Sequence, residues 1–330
     1  MIRARAVAFI APRRVEVQPI EVRERESLAL VRTAFSGISG GTESLAFRGE
    51  IDPDLALDET IGALGGTFRY PFRYGYACVG EVERGAGGLE PGTLVFAFQP
   101  HQDLFAAEPA ELLPIEGIEP RLATLLPLVE TALQVALDAG SVGEEDVVVV
   151  GQGTVGVLTA LVLQRFGARV LGVEPNPSRR EIAAAAGVET VEPSDVVDTV
   201  RDITDGRGVP VVVESSGDPA VPGRALSLLA HEGMLLVASW YGTKKVSLPM
   251  GAEFHRRRLT VRSTQVSSIP AALSAEWSRE RRRAAARGLL EQLPLKLLAT
   301  HEFPLDDAQR AFEAVDQPAN GLMHAALRYP

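Results

Sequence analysis

The spacing of apolar positions changes twice along the chain. Up to about residue 115 they come in short β-branched or aromatic runs bounded by Gly or Pro, and the runs at 15–17, 28–33, 79–82 and 94–98 predict strands in a turn-rich region. Between 122 and 139 the spacing suits a helix, with Gly140 as its stop. At Val147 a continuous apolar run begins, as expected for a parallel strand buried on both faces. From there strands at 147–150, 170–173, 209–213 and 234–238 alternate with helices at 155–166, 178–186 and 222–229. That alternation predicts a doubly wound parallel sheet. It ends after a run at 259–263, beyond which helices at 277–290 and 305–315 and a closing strand at 323–328 are expected.

The expected fold is therefore α/β. The nucleotide-type unit, residues 121–266, is nested within a lobe made of 1–120 and 267–330, and no Ser/Gly/Pro tract separates them. Composition adds exclusions. Charged residues make up 23% and apolar ones 46%, which is ordinary globular chemistry. The formal charge of −10 disfavours nucleic acid as a partner, since phosphate contacts need clustered cations. A single cysteine, Cys78, excludes an internal disulfide and an all-cysteine zinc site. With only 12 Phe, 5 Tyr and 2 Trp, aliphatic side chains are expected to do most of the packing. No run approaches the ~20 apolar residues of a membrane span, and no apolar leader opens the chain, so a cytoplasmic protein is expected.

The sharpest chemical signal is VVVVGQGTVG, where Gly151, Gly153 and Gly156 form GxGxxG between a strand and a helix. Gly151 permits the tight turn, Gly153 lets backbone approach a pyrophosphate, and Gly156 lets helix and strand pack closely. Thr154 and Val155 open the helix, whose N-terminus favours a diphosphate. Glu174 ends the next strand, where a carboxylate accepts from both adenosine ribose hydroxyls and repels a 2′-phosphate. NAD(H) is thus expected over NADP, although Arg179 and Arg180 follow at positions that can hold a 2′-phosphate.

The order of segments resembles the medium-chain dehydrogenase/reductase superfamily over nearly the whole chain. The resemblance is carried by SGISGGTE (36–43), RYGYACVGEVERGAGG (73–88), PGTLVFAF (91–98), VEPNPSRREIAAAAG (173–187) and THEFPLDDAQRAFE (300–313). GTESLAFRGE, FQPHQ, VETAL, SWYG and EFHRRRLTVRSTQV also resemble the branch that includes bacteriochlorophyllide hydroxyethyl dehydrogenases. The resemblance implies a GroES-like β-rich catalytic domain, a Rossmann domain, and transfer of hydride between nicotinamide and a secondary alcohol or ketone. It also implies a small-molecule substrate, a homodimer or homotetramer, and cofactor contacts from Ser216, Ser239 and Trp240.

The departures are at the metal. A zinc enzyme of this family would carry Cys at Ser39, and His and Glu at Tyr76 and Ala77; Ser, Tyr and Ala do not replace thiolate and imidazole. No zinc is therefore expected. The proton must then be handled by other groups, with four candidates. Tyr76 stands at the lost ligand position, either donating to substrate oxygen or filling the vacated volume. Ser39 either holds the substrate oxygen or is a small strand-end residue. Glu130, in the apolar stretch LLPLVETALQVAL, is a base with a burial-raised pKa or the partner of an arginine from the other lobe. His101 is a proton shuttle or a surface-loop histidine. Glu43, a general base or an exposed or helix-capping carboxylate, is assigned with Phe98 and Tyr241 to the substrate pocket, and the arginine group at 279–283 to a solvated helix face. Two alternatives remain: a zinc-free reductase of an activated C=C or C=N bond, and a catalytically inactive dinucleotide-binding protein.

Overall fold

The computed structural model describes residues 1–317 and 321–330. The chain forms two compact units, one of Met1–Pro127 with Leu298–Pro330 and one of Leu128–Leu297. Among the described residues no helix is long and apolar enough to cross a membrane.

The first unit is β-rich, with α/β character confined to short helices. One sheet has the order Arg14–Val22, Ile2–Ala11, Phe72–Arg73. The larger sheet runs His301–Pro304, Ala325–Arg328, Ala29–Ile38, Cys78–Arg84, Leu94–Ala97, Leu113–Pro114, with Leu104–Ala107 also paired to Ala29–Ile38. The closing strand is antiparallel to Ala29–Ile38, opposing Leu327 to Ser36 and Ala325 to Ile38, so the C-terminal residues complete this sheet. Aromatic rings fill the core: Phe9 stacks on Phe72 at 5.0 Å and meets Phe312 edge-on at 5.1 Å. Aliphatic side chains still make up most of the buried residues, as expected, but the rings are gathered in this unit. Of the 12 Phe, only Phe166 and Phe254 fall in the second unit, whose core is Val, Leu and Ala.

The second unit carries the six-stranded parallel sheet, in the order Glu189–Val191, Arg169–Val173, Asp146–Val150, Val209–Glu214, Leu229–Val237, Thr260–Ser263. Numbered along the chain this is 3-2-1-4-5-6, the doubly wound order whose direction reverses between the first and fourth strands. Val147, Val148 and Val149 are buried, as a strand covered on both faces requires. Asn176 caps the helix Pro177–Ala185, its side chain accepting from the Arg179 amide at 3.3 Å, with Pro177 at the first helical position. The helix Arg279–Leu290 lies in this unit, capped by the Ser278 hydroxyl on the Arg281 amide at 3.1 Å.

Candidate active site

The glycine turn occupies the point where the strand order reverses. Gly151 has φ +89°, and a Cβ there would come within 2.7 Å of the Ser216 backbone on the neighbouring strand's loop. A Cβ on Gly156 would fall 1.8 Å from the Gly151 carbonyl oxygen, so helix and turn touch as backbone on backbone. Nothing lies within 4 Å of where Gly153 would place a Cβ, and as N-cap it brings no side chain to the first amides of Thr154–Arg165. The open third position is the one a pyrophosphate would approach.

Glu174 is buried beside this turn. One carboxylate oxygen accepts from the Gln152 amide at 2.8 Å and the other from the Asn176 amide at 3.0 Å. It therefore ties the glycine turn to the end of its own strand while each oxygen keeps a lone pair for a further donor. Arg180 is held in place by the Glu174 and Pro175 carbonyls at 2.8 and 2.9 Å and by Glu192.

A second strand-end glutamate was readable in the sequence and missed. Glu214 closes VPVVVE much as Glu174 follows RVLGV, and the two strands flank Asp146–Val150. Fully buried, it accepts from the Ser216 amide at 2.7 Å, the Ser216 hydroxyl at 2.5 Å and the Gly217 amide at 3.2 Å. Its other oxygen takes the Tyr241 hydroxyl. Tyr241, assigned to the substrate pocket, spends its phenol on this bond; burial and then Glu214 hold it well above the usual phenol range. Ser239 accepts from the Gly217 amide at 2.9 Å, and Trp240 beside it is 42% exposed.

Glu130 is buried as expected but is not positioned as a base. Arg282, 1% exposed, donates to one of its oxygens through Nε and Nη2 at 3.2 and 3.0 Å, and Arg283 approaches the other at 3.6 Å. Arg282 also donates to Gln134, to the Val266 carbonyl and to the Ser268 carbonyl. Two guanidinium groups occupy its lone pairs, which leaves it poorly placed to accept a proton from substrate. The arginine belongs to the same unit, not to another lobe, and the solvated-face reading of 279–283 fails at Arg282.

In the first unit, Ser39, Glu43, Tyr76 and His101 come together at the start of the helix Thr42–Arg48. Glu43 is fully buried, not a surface carboxylate: one oxygen accepts from the Ser39 amide at 2.9 Å and the other meets His101 Nε2 at 2.7 Å. His101 is likewise fully buried rather than on a surface loop. Its Nδ1 lies 2.6 Å from the Ser36 hydroxyl, which in turn is 2.8 Å from the Tyr329 hydroxyl. The ring meets Phe312 edge-on at 5.9 Å, and a Cβ on Gly75 would intrude to 2.6 Å from it. Tyr76 is half-buried, with Ser39 and Thr42 beside its hydroxyl. Burial, reinforced by the Glu43 charge, pushes that phenol up to about 12, so it is a proton-bearing donor at neutral pH. Phe98 is half-buried, edge-on to Phe96 at 5.0 Å. Ser36 and Tyr329 carried no sequence signal, since 293 residues separate them.

The residues at the family's metal positions do not fit zinc. Ala77 has no donor atom, Tyr76 holds its proton, and Glu43 and His101 are bonded to each other. Among the described residues no group of three or more His, Cys, Asp or Glu is gathered as a metal would need.

Known proteins share this architecture. A family model for zinc-binding dehydrogenases matches residues 154–285, within the second unit. The 2-desacetyl-2-hydroxyethyl bacteriochlorophyllide A dehydrogenase of Cereibacter sphaeroides is 29% identical over 338 residues, covering 94% of this chain and 93% of that one. The L-threonine 3-dehydrogenase of Pyrococcus abyssi is 34% identical over 150 residues, 44% of this chain and 42% of its own. The crystal structure of 2R,3R-butanediol dehydrogenase from Bacillus subtilis superposes with a TM-score of 0.79 over 98% of this chain and 99% of that one; at 19% identity it speaks for the fold. In these matches the chain is similar to the alcohol dehydrogenase-like oxidoreductases of the medium-chain dehydrogenase/reductase superfamily.

Proposed function

We propose that this chain is an NAD(H)-dependent oxidoreductase that interconverts a secondary alcohol and its ketone without zinc. The observation that carries the reading is the glycine turn at the strand-order reversal with the Glu174 carboxylate bonded to the Gln152 amide inside it. A carboxylate so placed receives ribose hydroxyls and opposes a 2′-phosphate, which supports NAD over NADP. The Cereibacter relative is named as the dehydrogenase of a hydroxyethyl compound, which supports an alcohol as the substrate class.

The dinucleotide supplies the hydride donor or acceptor when bound. Gly151, Gly153 and Gly156 shape its cradle, and Glu214 fixes the loop carrying Ser216 and Gly217 beside it. In place of a Lewis acid, the Tyr76 phenol donates a hydrogen bond to the substrate oxygen and stabilises the charge that develops there. Ser39 and Thr42 lie beside the phenol.

Steady-state assays with NADH and NADPH across ketones, enones and imines test this reading, along with the reverse reaction on alcohols. Ketone reduction with NADH is expected to dominate. Glu174→Ala is expected to weaken NAD binding by about 1.5–3 kcal/mol, roughly 10–150-fold, and to spare or improve NADP binding. Turnover confined to enones with NADPH, or no binding of either dinucleotide, defeats the proposal.

A further inference from the structure

The first unit holds a cavity of about 270 Å³ that none of the candidate site residues lines, and its wall is basic. Arg23 and Arg25 follow the strand Arg14–Val22, and Arg73 ends Phe72–Arg73 on the far side of Ile2–Ala11 in the same sheet. Glu21 is the one carboxylate in the lining. Among the described residues none of the three arginines has an ion-pair partner. Their neighbours in sequence are engaged elsewhere, Glu24 by Arg84 at 2.6 Å and Asp103 by Arg5 at 3.2 Å. Other arginines of this unit do find carboxylates, Arg14 on Glu16 and Arg32 on Glu83. Gathering like charges in a chain of formal charge −10 costs free energy that an anion among them offsets.

The floor of the cavity carries a second, independent signal. Gln99 and Gln102 line it from the loop between Leu94–Ala97 and Leu104–Ala107, and are only 8% and 7% exposed. Gln102 Nε2 donates to Gln99 Oε1 at 3.1 Å, and among the described residues the two side chains make no other hydrogen bond. One amide nitrogen and one carbonyl oxygen are left over, and reversing both amides only exchanges which glutamine offers which. Buried polar atoms ordinarily have partners, so a spare donor beside a spare acceptor suits a polar ligand. The loop itself is fixed. The His101 amide donates to the Tyr74 carbonyl at 3.1 Å, the Val7 amide to the His101 carbonyl at 2.9 Å, and the Cys78 thiol to the Gln99 carbonyl at 3.4 Å.

We propose that this cavity binds a small phosphate monoester, with its phosphate among Arg23, Arg25 and Arg73 and a hydroxyl of its carbon body on the Gln99–Gln102 pair. Three guanidinium groups offset by Glu21 match such an ester, which carries a charge of about −1.5 to −2 at neutral pH; a carboxylate brings less. Val22 and Phe105, both buried, give the carbon body an apolar wall, and the volume exceeds what a bare oxyanion fills. The site lies within the first unit and the glycine turn within the second, so the inference does not depend on the dinucleotide reading.

The test is calorimetric titration of the intact protein with glycerol 3-phosphate, ribose 5-phosphate and inorganic phosphate at constant ionic strength. The side-chain amide resonances of Gln99 and Gln102 are followed by 15N NMR in parallel. One ester or both are expected to saturate a single site about tenfold or more tighter than inorganic phosphate and to shift both resonances. Arg73→Gln, and Arg23→Gln with Arg25→Gln, change exposed side chains and are each expected to weaken that binding about tenfold or more at an unchanged melting temperature. Gln99→Leu keeps the charges and is expected to remove the ester's advantage over inorganic phosphate. The proposal is overturned if neither ester saturates by about 10 mM, or if neither binds more tightly than inorganic phosphate. Gly153→Asp sets a carboxylate in the open position of the glycine turn. Ester binding that this change abolishes and Arg73→Gln spares belongs to that turn, which equally overturns the proposal while leaving the dinucleotide reading in place.

Discussion

Two histidines are buried in the first unit, and their neighbours give them opposite characters. His101 has a partner on each ring nitrogen, whereas His324 has only the Thr124 hydroxyl, 2.9 Å from Nε2, and among the described residues its Nδ1 has none. Burial, with Arg121 adding to it, pushes His324 down from 6.5 to about 3. The folded state refuses a proton that the unfolded chain accepts. Stability from this residue is therefore complete above the unfolded value and is lost as pH falls from about 6.5 toward 3. His324→Gln keeps polarity and removes the titration, so its melting temperature is expected to fall less steeply than the wild type's between those limits. Parallel melting curves would assign the acid sensitivity elsewhere. The side chain also explains Gly37, where a Cβ would come within 2.9 Å of both the His324 ring and Thr124.

At the scale of elements, the helix Arg279–Leu290 shows why an apolar-looking stretch carries Glu130. The ion pair with Arg282, backed by Gln134 and two carbonyls, fastens this helix to Leu126–Ala139 within the second unit. Removing one partner of a buried pair leaves the other uncompensated, at a cost of about 3–5 kcal/mol. Glu130→Gln is expected to lose roughly that much in denaturant unfolding, and Glu130→Gln with Arg282→Met to regain most of it. A lost pH-profile limb at unchanged stability would instead restore Glu130 as a base. The sequence showed an isolated carboxylate but not its partner, because the arginine lies 152 residues away. The parallel strands were legible because burial on both faces leaves unbroken apolar runs. Ile2–Ala11 was not, since its alanines and two arginines lack the β-branched signature and its pairing with Arg14–Val22 and Phe72–Arg73 is tertiary. The short helix Thr42–Arg48, which buries Glu43, was hidden for the same reason: a polar residue at 0% exposure is decided by its partner, His101, 58 positions on.

At the scale of the whole molecule, nucleotide chemistry and proton chemistry are written in different languages. The dinucleotide turn is local, a few glycines whose spacing alone dictates backbone geometry, and it could be read from one segment. The buried polar cluster of the first unit draws on residues 36, 39, 43, 101 and 329, with Tyr76 beside it, which only the sheet closed by the C-terminal strand assembles. That cluster also bears on the metal. Zinc needs deprotonated ligands, and binding must release whatever protons they hold. Tyr76 and Cys78 hold theirs to about pH 12, the Cys78 thiol directed at the Gln99 and Pro100 carbonyls at 3.4 and 3.3 Å. Glu43 and His101 are each other's partners, and giving either to a metal would unmake a fully buried pair. The purified protein is therefore expected to carry well under about one zinc per chain and to keep its turnover after prolonged exposure to a strong chelator. Elemental analysis and the same NADH assay before and after chelation check this together. Stoichiometric zinc, with turnover lost on its removal and restored by adding it back, would mean that the ligands come from outside the family's positions and that Tyr76 is not the group acting on the substrate oxygen.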